Sequence, residues 1–187
     1  MKYFIDCEFI DKPFNLQLIS IGIVCEDGRE YYAVSSEYNY YDADEWVKEN
    51  VIKPIYADYM KTATKEDISW YADITFFQRP DNNASKMSYA CAKNFYQIQR
   101  EILDFIGDDI PEFYGYYSSY DWVLFCGIFG RMLDLPKNWP MFINDLKVIQ
   151  KLIGVSNFTA NDIHNALDDA RWMFEFYKYL NKRIKHE

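Results

Sequence analysis

The stretch Tyr3-Phe4-Ile5-Asp6-Cys7-Glu8-Phe9 combines the aromatic and β-branched residues of a β-strand with two acids at its centre. Because side chains alternate faces along a strand, Asp6 and Glu8 are predicted to point the same way, with Cys7 opposite. Two carboxylates on one face raise each other's pKa unless a cation lies between them. Oxygen ligands at this spacing suit Mg²⁺ or Mn²⁺, although an isolated Asp-x-Glu also fits an edge strand whose acids face water. Further acids elsewhere in the chain decide between these interpretations.

Composition favours one folded domain with a substantial core. The chain has 187 residues, 50% of them hydrophobic and 19% aromatic, and this composition excludes a disordered chain. The formal net charge of -9 argues against the broad basic face with which long-duplex binders neutralise phosphates. An acidic protein can still hold the end of a nucleic acid if divalent metal ions supply positive charge locally. We therefore predict a single domain over residues 1–187 and keep nucleic-acid ends among its substrates.

The cysteines and histidines do not form a zinc-binding pattern. They stand at six separated positions: Cys7, Cys25, Cys91, Cys126, His164 and His186. No Cys-x-x-Cys pair occurs, so reduced thiols in the core of a cytosolic protein are the better interpretation. The N-terminus reaches charged residues at once, and no apolar run approaches transmembrane length. The sequence therefore predicts a soluble, cytoplasmic protein with no membrane partner.

Two further strands are predicted directly after the first. Leu16–Cys25 is apolar on both faces, which is typical of a buried strand. Asp27-Gly28 is a two-residue hairpin signal that leads into a third strand over Glu30–Val34. The opening of the chain is therefore predicted to be a three-stranded antiparallel meander.

A short helix and a long insertion follow the meander. Asp42, with Glu45 three residues on, resembles a capping box and predicts a helix through about Val51. Residues 53–90 show no clean period and contain prolines and an Asp-Asn-Asn cluster. We expect a partly irregular insertion there, with some helix.

The second half of the chain alternates helices and strands. A helix ending near Gly107 is predicted from apolar residues at helical spacing, Cys91, Phe95, Ile98, Ile102 and Phe105. The next helix opens at Ser118 and has a predicted apolar face of Val123, Leu124, Ile128, Met132 and Leu133. The remaining predicted elements are strands at Glu112–Tyr117 and Met141–Asn144 and helices at Asp145–Ile153 and Ala166–Arg183. The order predicts an α/β fold: three antiparallel strands, then strands alternating with helices, in a mixed central sheet flanked by helices.

Asp121 is the first further acid that could join the site. It lies in the first turn of the helix that follows a predicted strand, and thus at the carboxyl end of that strand. In open α/β sheets this edge is where ligands bind. Ser118 and Asp121 also form a capping-box-like pattern, which is the structural alternative for this acid.

The second place is the stretch His164-Asn165-Ala166-Leu167-Asp168-Asp169. With Asn165 as N-cap and Asp168 at the capping-box position, His164 falls just outside the last helix. It could then approach a site to which Asp169 contributes. Histidine has an unperturbed pKa that suits a general base near neutrality, whereas the structural alternative for His164 is an ordinary loop residue.

Taken together, these motifs resemble those of the DEDDh exonucleases. The resemblance rests on Asp6-x-Glu8 in the first strand, Asp121 after a mid-chain strand, and His164-x-Ala166-x-x-Asp169 opening the last helix. It covers nearly the whole chain, with the motifs in the family's order. No single motif is specific, but the three together are.

The resemblance implies an RNase H-like fold and 3′→5′ exonucleolytic cleavage that releases nucleoside 5′-monophosphates. It implies two Mg²⁺ or Mn²⁺ ions held by Asp6, Glu8, Asp121 and Asp169. His164 would take the proton of the attacking water, and Asp6 matches the acid that bridges both ions.

Several departures from the family pattern indicate which branch of the family the chain resembles. Phe9-Ile10 follow Glu8 where many proofreading members have Thr and Gly, and no Asn precedes Asp121. The Asp-x-Glu-Phe opening, the Ser-Ser-Tyr-Asp context and Trp139-Pro140-x-Phe142 look more like small stand-alone exoribonucleases of bacteria and phages. The expected partner is the 3′ end of single-stranded RNA or DNA, with RNA preferred.

Four residues are predicted to bind that substrate: Glu8, Phe9, Tyr120 and Trp122. Glu8 would help to recognise the 3′ hydroxyl, and the aromatics would stack on terminal bases. Trp70 and Tyr71 are further candidates, and core packing is the alternative for each aromatic.

Other functions stay open at this point. They are a DNA exonuclease, a metal-dependent phosphohydrolase of a dinucleotide or nucleotide cofactor, and an inactive nucleic-acid-binding domain. A complete set of four acids and a histidine argues against the inactive binder, which has no need for clustered carboxylates. The sequence does not fix the oligomeric state and is compatible with a homodimer.

Overall fold

A mixed six-stranded sheet with helices on both faces forms the framework of the protein. The computed structural model describes residues 1–62, 92–155 and 164–184, with the backbone alone for 58–62. The strand order is β4-β3-β2-β1-β5-β6, so the first strand lies inside the sheet. The predicted α/β class is confirmed, and the architecture is consistent with an RNase H-like fold.

The strands show how the meander is extended. They are β1 (Lys2–Ile10), β2 (Gln17–Cys25), β3 (Glu30–Ser35), β4 (Ala92–Lys93), β5 (Glu112–Gly115) and β6 (Asn144–Asp145). The first three pair antiparallel, which confirms the predicted meander. β4 pairs parallel to β3, β5 parallel to β1, and β6 parallel to β5. The carboxyl ends of β1, β5 and β6 therefore meet at one edge.

The helices connect and cover these strands. They are α1 (Glu45–Val47), α2 (Lys53–Thr62), α3 (Phe95–Ile106), α4 (Ser119–Phe129), α5 (Leu146–Leu152) and α6 (Ala166–Ile184). A π-helical segment, Lys48–Ile52, joins α1 to α2, and 3₁₀ turns lie at Tyr40–Asp42 and Met132–Asp134. Within the described ranges, no helix has the length and apolar character needed to span a bilayer.

The predicted capping box at Asp42 is wrong. Asp44 is the N-cap of α1, and its carboxylate accepts a hydrogen bond from the N–H of Val47 at 2.8 Å. Asp42 instead ends the 3₁₀ turn and binds the side chains of Lys12 and Gln17. The helical segment also continues past Val51 into α2, so the first ten residues of the predicted insertion are helical. The rest of that insertion, with Trp70 and Tyr71, lies outside the described residues.

The predicted apolar face of α4 extends too far. The helix ends at Phe129, where Gly130 has φ +109° and forms the C-cap, so Met132 and Leu133 belong to the following 3₁₀ turn. Both side chains are exposed, as is Val123. The last predicted strand is also displaced, because the sheet takes up Asn144–Asp145 instead of Met141–Asn144.

Both faces of the sheet are buried. On one face α3 and α4 cover the core, and the predicted amphipathic helix is confirmed by the burial of Ile98, Ile102 and Ile106. On the opposite face α6 packs against Phe4 and Val24. Three cysteines are free and buried, Cys7, Cys25 and Cys126, and Cys91 lies outside the described residues.

One close backbone contact fixes the start of α6 on the sheet. A Cβ at Gly22 would lie 2.3 Å from the carbonyl oxygen of Ala166 and 2.4 Å from the nitrogen of Leu167. Gly22 pairs with Asp6 in the register of β1 and β2. The first turn of α6 therefore lies directly over the acidic part of β1, and a side chain at position 22 would prevent this approach.

We predict that Gly22→Ala lowers the free energy of unfolding by about 1–3 kcal/mol, because the backbone of α6 must move away from β2. Urea denaturation measures this change. Gly127→Ala is the matched control, since a Cβ there meets nothing within 4 Å. In a helix interior this control should raise stability by about 0.4–1 kcal/mol. Equal stability of Gly22→Ala and the wild-type protein would contradict the close contact.

Candidate active site

Asp6 and Glu8 lie on one face of β1, as the alternation of the strand predicts. Their cross-strand partners are Gly22 and Ser20, and the register shifts directly after Glu8. Phe4, two residues before Asp6, is buried under α6, so the acids share the face that α6 covers. The local period of the strand is therefore enough to place these two carboxylates side by side.

Asp169 reaches the same place from the first turn of α6. One carboxylate oxygen from each of Asp6, Glu8 and Asp169 lies within 4.8 Å of the other two. Asn165 fixes the helix start, because its side chain accepts hydrogen bonds from the N–H groups of Leu167 and Asp168 at 3.0 and 3.2 Å. The predicted N-cap is confirmed. The carboxylate of Asp168, however, pairs with Arg171 and not with the cap.

Asp121 approaches from the side of the sheet. β5 pairs with β1 only over Lys2–Phe4, so the N–H of Cys7 has passed the end of its neighbouring strand. The carboxylate of Asp121 accepts this N–H at 2.9 Å and takes the place of the missing strand partner. Asp121 lies outside the closest cluster of three carboxylates, but its charge raises the pKa of Asp6.

The side-chain capping that was the structural alternative for Asp121 is not formed by Ser118. Ser118 stands at the N-cap position but makes no side-chain capping bond there. Its backbone N–H donates to Asp145 Oδ2 at 3.1 Å. Asp145 also caps α5, accepting from the N–H of Lys147 at 2.7 Å. Asp145 thus joins the starts of α4 and α5.

Burial and mutual repulsion shift the acids toward their neutral forms. Burial is the main cause for Asp6, whose pKa lies well above its ordinary value, and Asp121, Asp169 and Glu8 add to the shift. Burial, followed by the charges of Asp169 and Asp121, raises the pKa of Glu8 to about 8. A cation between these carboxylates would remove the cause of the repulsion.

Asp169 and Asp121 are shifted in the same direction. Burial raises the pKa of Asp169 to about 7, opposed by the backbone of Asn165. Burial likewise raises the pKa of Asp121 to about 6, and the hydrogen bond from Cys7 opposes the shift. The group therefore has four acids with raised pKa values at one site, which is typical of functional sites.

His164 lies just before the N-cap, as predicted, and contacts a residue that the sequence did not indicate. Its ring meets the indole of Trp46 edge to face, with centroids 4.6 Å apart. Trp46 belongs to α1 and is 53% exposed. The side chain of Asn50 donates to the carbonyl oxygen of Trp46 at 2.9 Å and helps to fix it. Nothing in the local pattern could reveal this contact, because Trp46 and His164 lie 118 positions apart (164 − 46).

The predicted substrate aromatics separate into two environments. Tyr120 is exposed, and Phe9, which contacts it edge to face at 5.7 Å, also packs against the core that α3 and α4 cover. Trp122 instead packs between Phe113 and Phe125 in the core. This position favours a core role for Trp122 over the predicted contact with substrate.

Comparison with known proteins places the chain in a family. A family model described as 3′-5′ exoribonuclease Rv2179c-like domain matches residues 1–180. The curated proteins 3′-5′ exoribonuclease MT2234.1 and 3′-5′ exoribonuclease Rv2179c, from two strains of Mycobacterium tuberculosis, are each 31% identical over 176 residues. Each comparison covers 91% of this chain and 88% of the relative. The protein therefore belongs to the Rv2179c-like 3′-5′ exoribonuclease domain family and is an exonuclease, a hydrolase of phosphodiester bonds.

We predict that the metal-free protein loses stability as the pH rises from about 5 to 8. The raised carboxyl pKa values mean that the folded state binds more protons than the unfolded state in this range, so deprotonation favours unfolding. Thermal unfolding in a chelator at several pH values measures the effect. Asp6→Asn should reduce the dependence and raise the melting temperature at pH 8 by about 2–4 °C for each 1 kcal/mol gained.

Asp134→Asn is the matched control for this experiment. Asp134 is exposed and ion-paired with Arg131, and this contact lowers its pKa. It therefore titrates below the range tested, and its loss should leave the slope unchanged. A metal-free protein whose stability is constant or rises from pH 5 to 8 would contradict the arrangement of the acids.

Proposed function

We propose that the protein is a metal-dependent 3′→5′ exoribonuclease of the DEDDh type that releases nucleoside 5′-monophosphates. The observation that carries the proposal is the convergence of Asp6, Glu8 and Asp169, whose oxygens lie within 4.8 Å of one another. Membership in an exoribonuclease family supports the reaction. The order of the acids along the chain, together with His164, supports the DEDDh type.

The donor set fits Mg²⁺ or Mn²⁺. All candidate ligands are carboxylate oxygens, which these hard cations prefer. Asp6, Glu8 and Asp169 would form the centre of the site, and Asp121 would complete it from the edge of β1. When bound, two such ions would activate the attacking water and neutralise the leaving oxygen of an in-line displacement.

The protein supplies position and proton transfer. Asp121 keeps one oxygen on the N–H of Cys7, so its carboxylate is oriented before any ligand arrives. His164, outside the helix and in contact with Trp46, would accept the proton of the attacking water as general base. Glu8, the more accessible acid of β1, would help to recognise the 3′ hydroxyl.

The aromatic pair Phe9 and Tyr120 supports binding of a nucleic-acid end. Phe9 follows Glu8 directly, and Tyr120 directly precedes Asp121, so the pair adjoins both motifs in sequence. Stacking of a base on such a platform contributes about 1–3 kcal/mol. Single-stranded RNA is the preferred substrate, since the relatives in the family carry the name exoribonuclease.

We predict that 5′-labelled single-stranded RNA gives a ladder that shortens from the 3′ end in Mg²⁺ or Mn²⁺, releasing 5′-monophosphates. RNA with a 3′ phosphate should resist attack, because the site receives a free 3′ hydroxyl. Asp6→Asn should abolish cleavage, since it removes one carboxylate from the centre of the site. Asp134→Asn, which removes an exposed acid, should cleave at the wild-type rate.

Three other outcomes would each overturn part of the proposal. Binding of RNA without products would favour an inactive nucleic-acid-binding domain. Cleavage restricted to dinucleotides would favour a small-substrate phosphohydrolase. Equal cleavage of DNA and RNA would contradict the preference for RNA.

We predict that His164→Ala lowers the turnover number by about 10²–10⁴-fold and leaves a trace of activity, whereas Asp169→Asn leaves none. Mn²⁺ binding, followed by the rise in melting temperature on titration, should survive in His164→Ala because a general base gives up no metal ligand. Loss of Mn²⁺ binding in His164→Ala, or full turnover at every pH, would contradict the general-base role. The four-acid site would stand in either case.

A further inference from the structure

An exposed tyrosine near the site is held in an unfavourable backbone conformation. Tyr117 follows β5, has φ +54°, and is 66% exposed. Bulky residues seldom adopt this left-handed conformation, whose cost must be met by surrounding contacts. The N–H of Ser118 donates to Asp145 at 3.1 Å, and the N–H of Ser119 donates to the carbonyl of Tyr117 at 2.9 Å. These bonds hold the turn and direct the tyrosine outward.

Lys147 lies against this tyrosine with its charge available. Its ammonium group is 5.5 Å from the centre of the Tyr117 ring and 5.7 Å from that of Tyr116, and it donates to Gln150 at 3.1 Å. Within the described parts of the chain, no carboxylate forms an ion pair with it. By contrast, Arg171 is bound to both Glu30 and Asp168.

A chain of ring contacts connects this pair to the helix that carries Asp169. Tyr117 contacts Tyr116 at 4.9 Å, and Tyr116 contacts Trp172 at 5.0 Å. Trp172 lies three residues after Asp169 on α6, so the two side chains share a face of the helix about 5 Å apart along its axis. The pair therefore lies at the carboxyl end of β5, with Tyr117 four residues (121 − 117) before Asp121, and is linked through Trp172 to the helix that carries Asp169.

We propose that Lys147 and Tyr117 form a binding subsite for the RNA strand, upstream of the nucleotide being removed. Lys147 contacts a backbone phosphate, and Tyr117 stacks on a base. Single-stranded RNA alternates negative charge with flat aromatic rings, and this cation and ring match that pattern. In a chain with net charge -9, a lysine that forms no ion pair within the described residues gives the polyanion a point of attachment. The inference rests on the proposed exoribonuclease activity.

The lysine is tested by steady-state kinetics on a 5′-labelled single-stranded RNA at several salt concentrations. Lys147→Gln should raise KM about two- to five-fold with little change in kcat, because an exposed charge pair contributes modestly. It should also reduce the slope of log(kcat/KM) against log salt by about 0.7, the value for one phosphate contact on a single strand. Lys147→Arg should behave as wild type.

Lys182→Gln is the matched control for charge. Lys182 is on the same helix as Asp169, thirteen residues (182 − 169) and hence about 20 Å further along, which exceeds the screening length of about 10 Å at 0.1 M salt. This variant should leave KM and the salt slope unchanged. If KM and the salt slope changed equally in Lys147→Gln and Lys182→Gln, the effect would come from net charge alone, and the proposed subsite would be overturned.

The tyrosine is tested by a pair of substitutions that separate binding from folding. Tyr117→Asn should keep or raise the melting temperature, because Asn tolerates the left-handed conformation, yet raise KM about five-fold or more through loss of stacking. Tyr117→Phe should keep the wild-type KM. Unchanged KM in both Lys147→Gln and Tyr117→Asn, with an active wild-type enzyme, would overturn this inference alone. A wild-type protein that degrades no RNA in Mg²⁺ or Mn²⁺ would overturn the proposed exoribonuclease function, on which this inference rests.

Discussion

The contact between the backbone of α6 and Gly22 of β2 is the constraint on which the site depends. Gly22 lies opposite Asp6, and any side chain there would meet the first turn of α6 at less than 2.5 Å. This approach brings Asp169 over the acids of β1. It also sets the position of Asn165, and thus of the residue just before it, His164. A single missing Cβ therefore links the sheet to the helix that completes the carboxylate cluster.

The cluster itself works against folding. Four acids with raised pKa values share a partly enclosed space, and their repulsion grows as the pH approaches neutrality. The buried hydrophobic clusters of the protein must offset this cost. Such a site is expected where carboxylates serve a ligand and not the fold, since a core needs no clustered charge. Cation binding would then stabilise the folded structure that repulsion between the acids destabilises.

The surroundings of the acids show how an acidic protein can receive an anionic substrate. Arg171 and Lys12 are committed to ion pairs, whereas Lys147 lies against tyrosine rings. Two pairs of aromatic side chains adjoin the motifs in sequence, Phe9 with Tyr120 and Tyr116 with Tyr117. Attraction for a nucleic-acid end would then come from bound cations, stacking and a few well-placed charges. A broad basic surface is unnecessary for a substrate held at its end.

The sequence predicted correctly those features that depend only on residues close together in the chain. Alternation along β1 placed Asp6 and Glu8 together, and the side chain of Asn165 was sufficient to fix the start of α6. Where two local signals competed, the prediction chose wrongly. Asp42 and Asp44 both suit an N-cap, and the choice was made by Lys12 and Gln17, far along the chain.

The tertiary structure alone decided the contacts between distant elements. Asp121 binds the N–H of Cys7 because β5 ends before β1 does. The number of residues over which two strands pair cannot be predicted from the sequence of either strand alone. The contact between Trp46 and His164 likewise depends on the relative positions of α1 and the start of α6 in the folded chain. The sequence by itself thus determined which residues could perform the chemistry, since residue type and period are local properties. The orientation of these side chains was decided by packing, because each one contacts a residue that is distant in sequence and becomes a neighbour only in the folded chain.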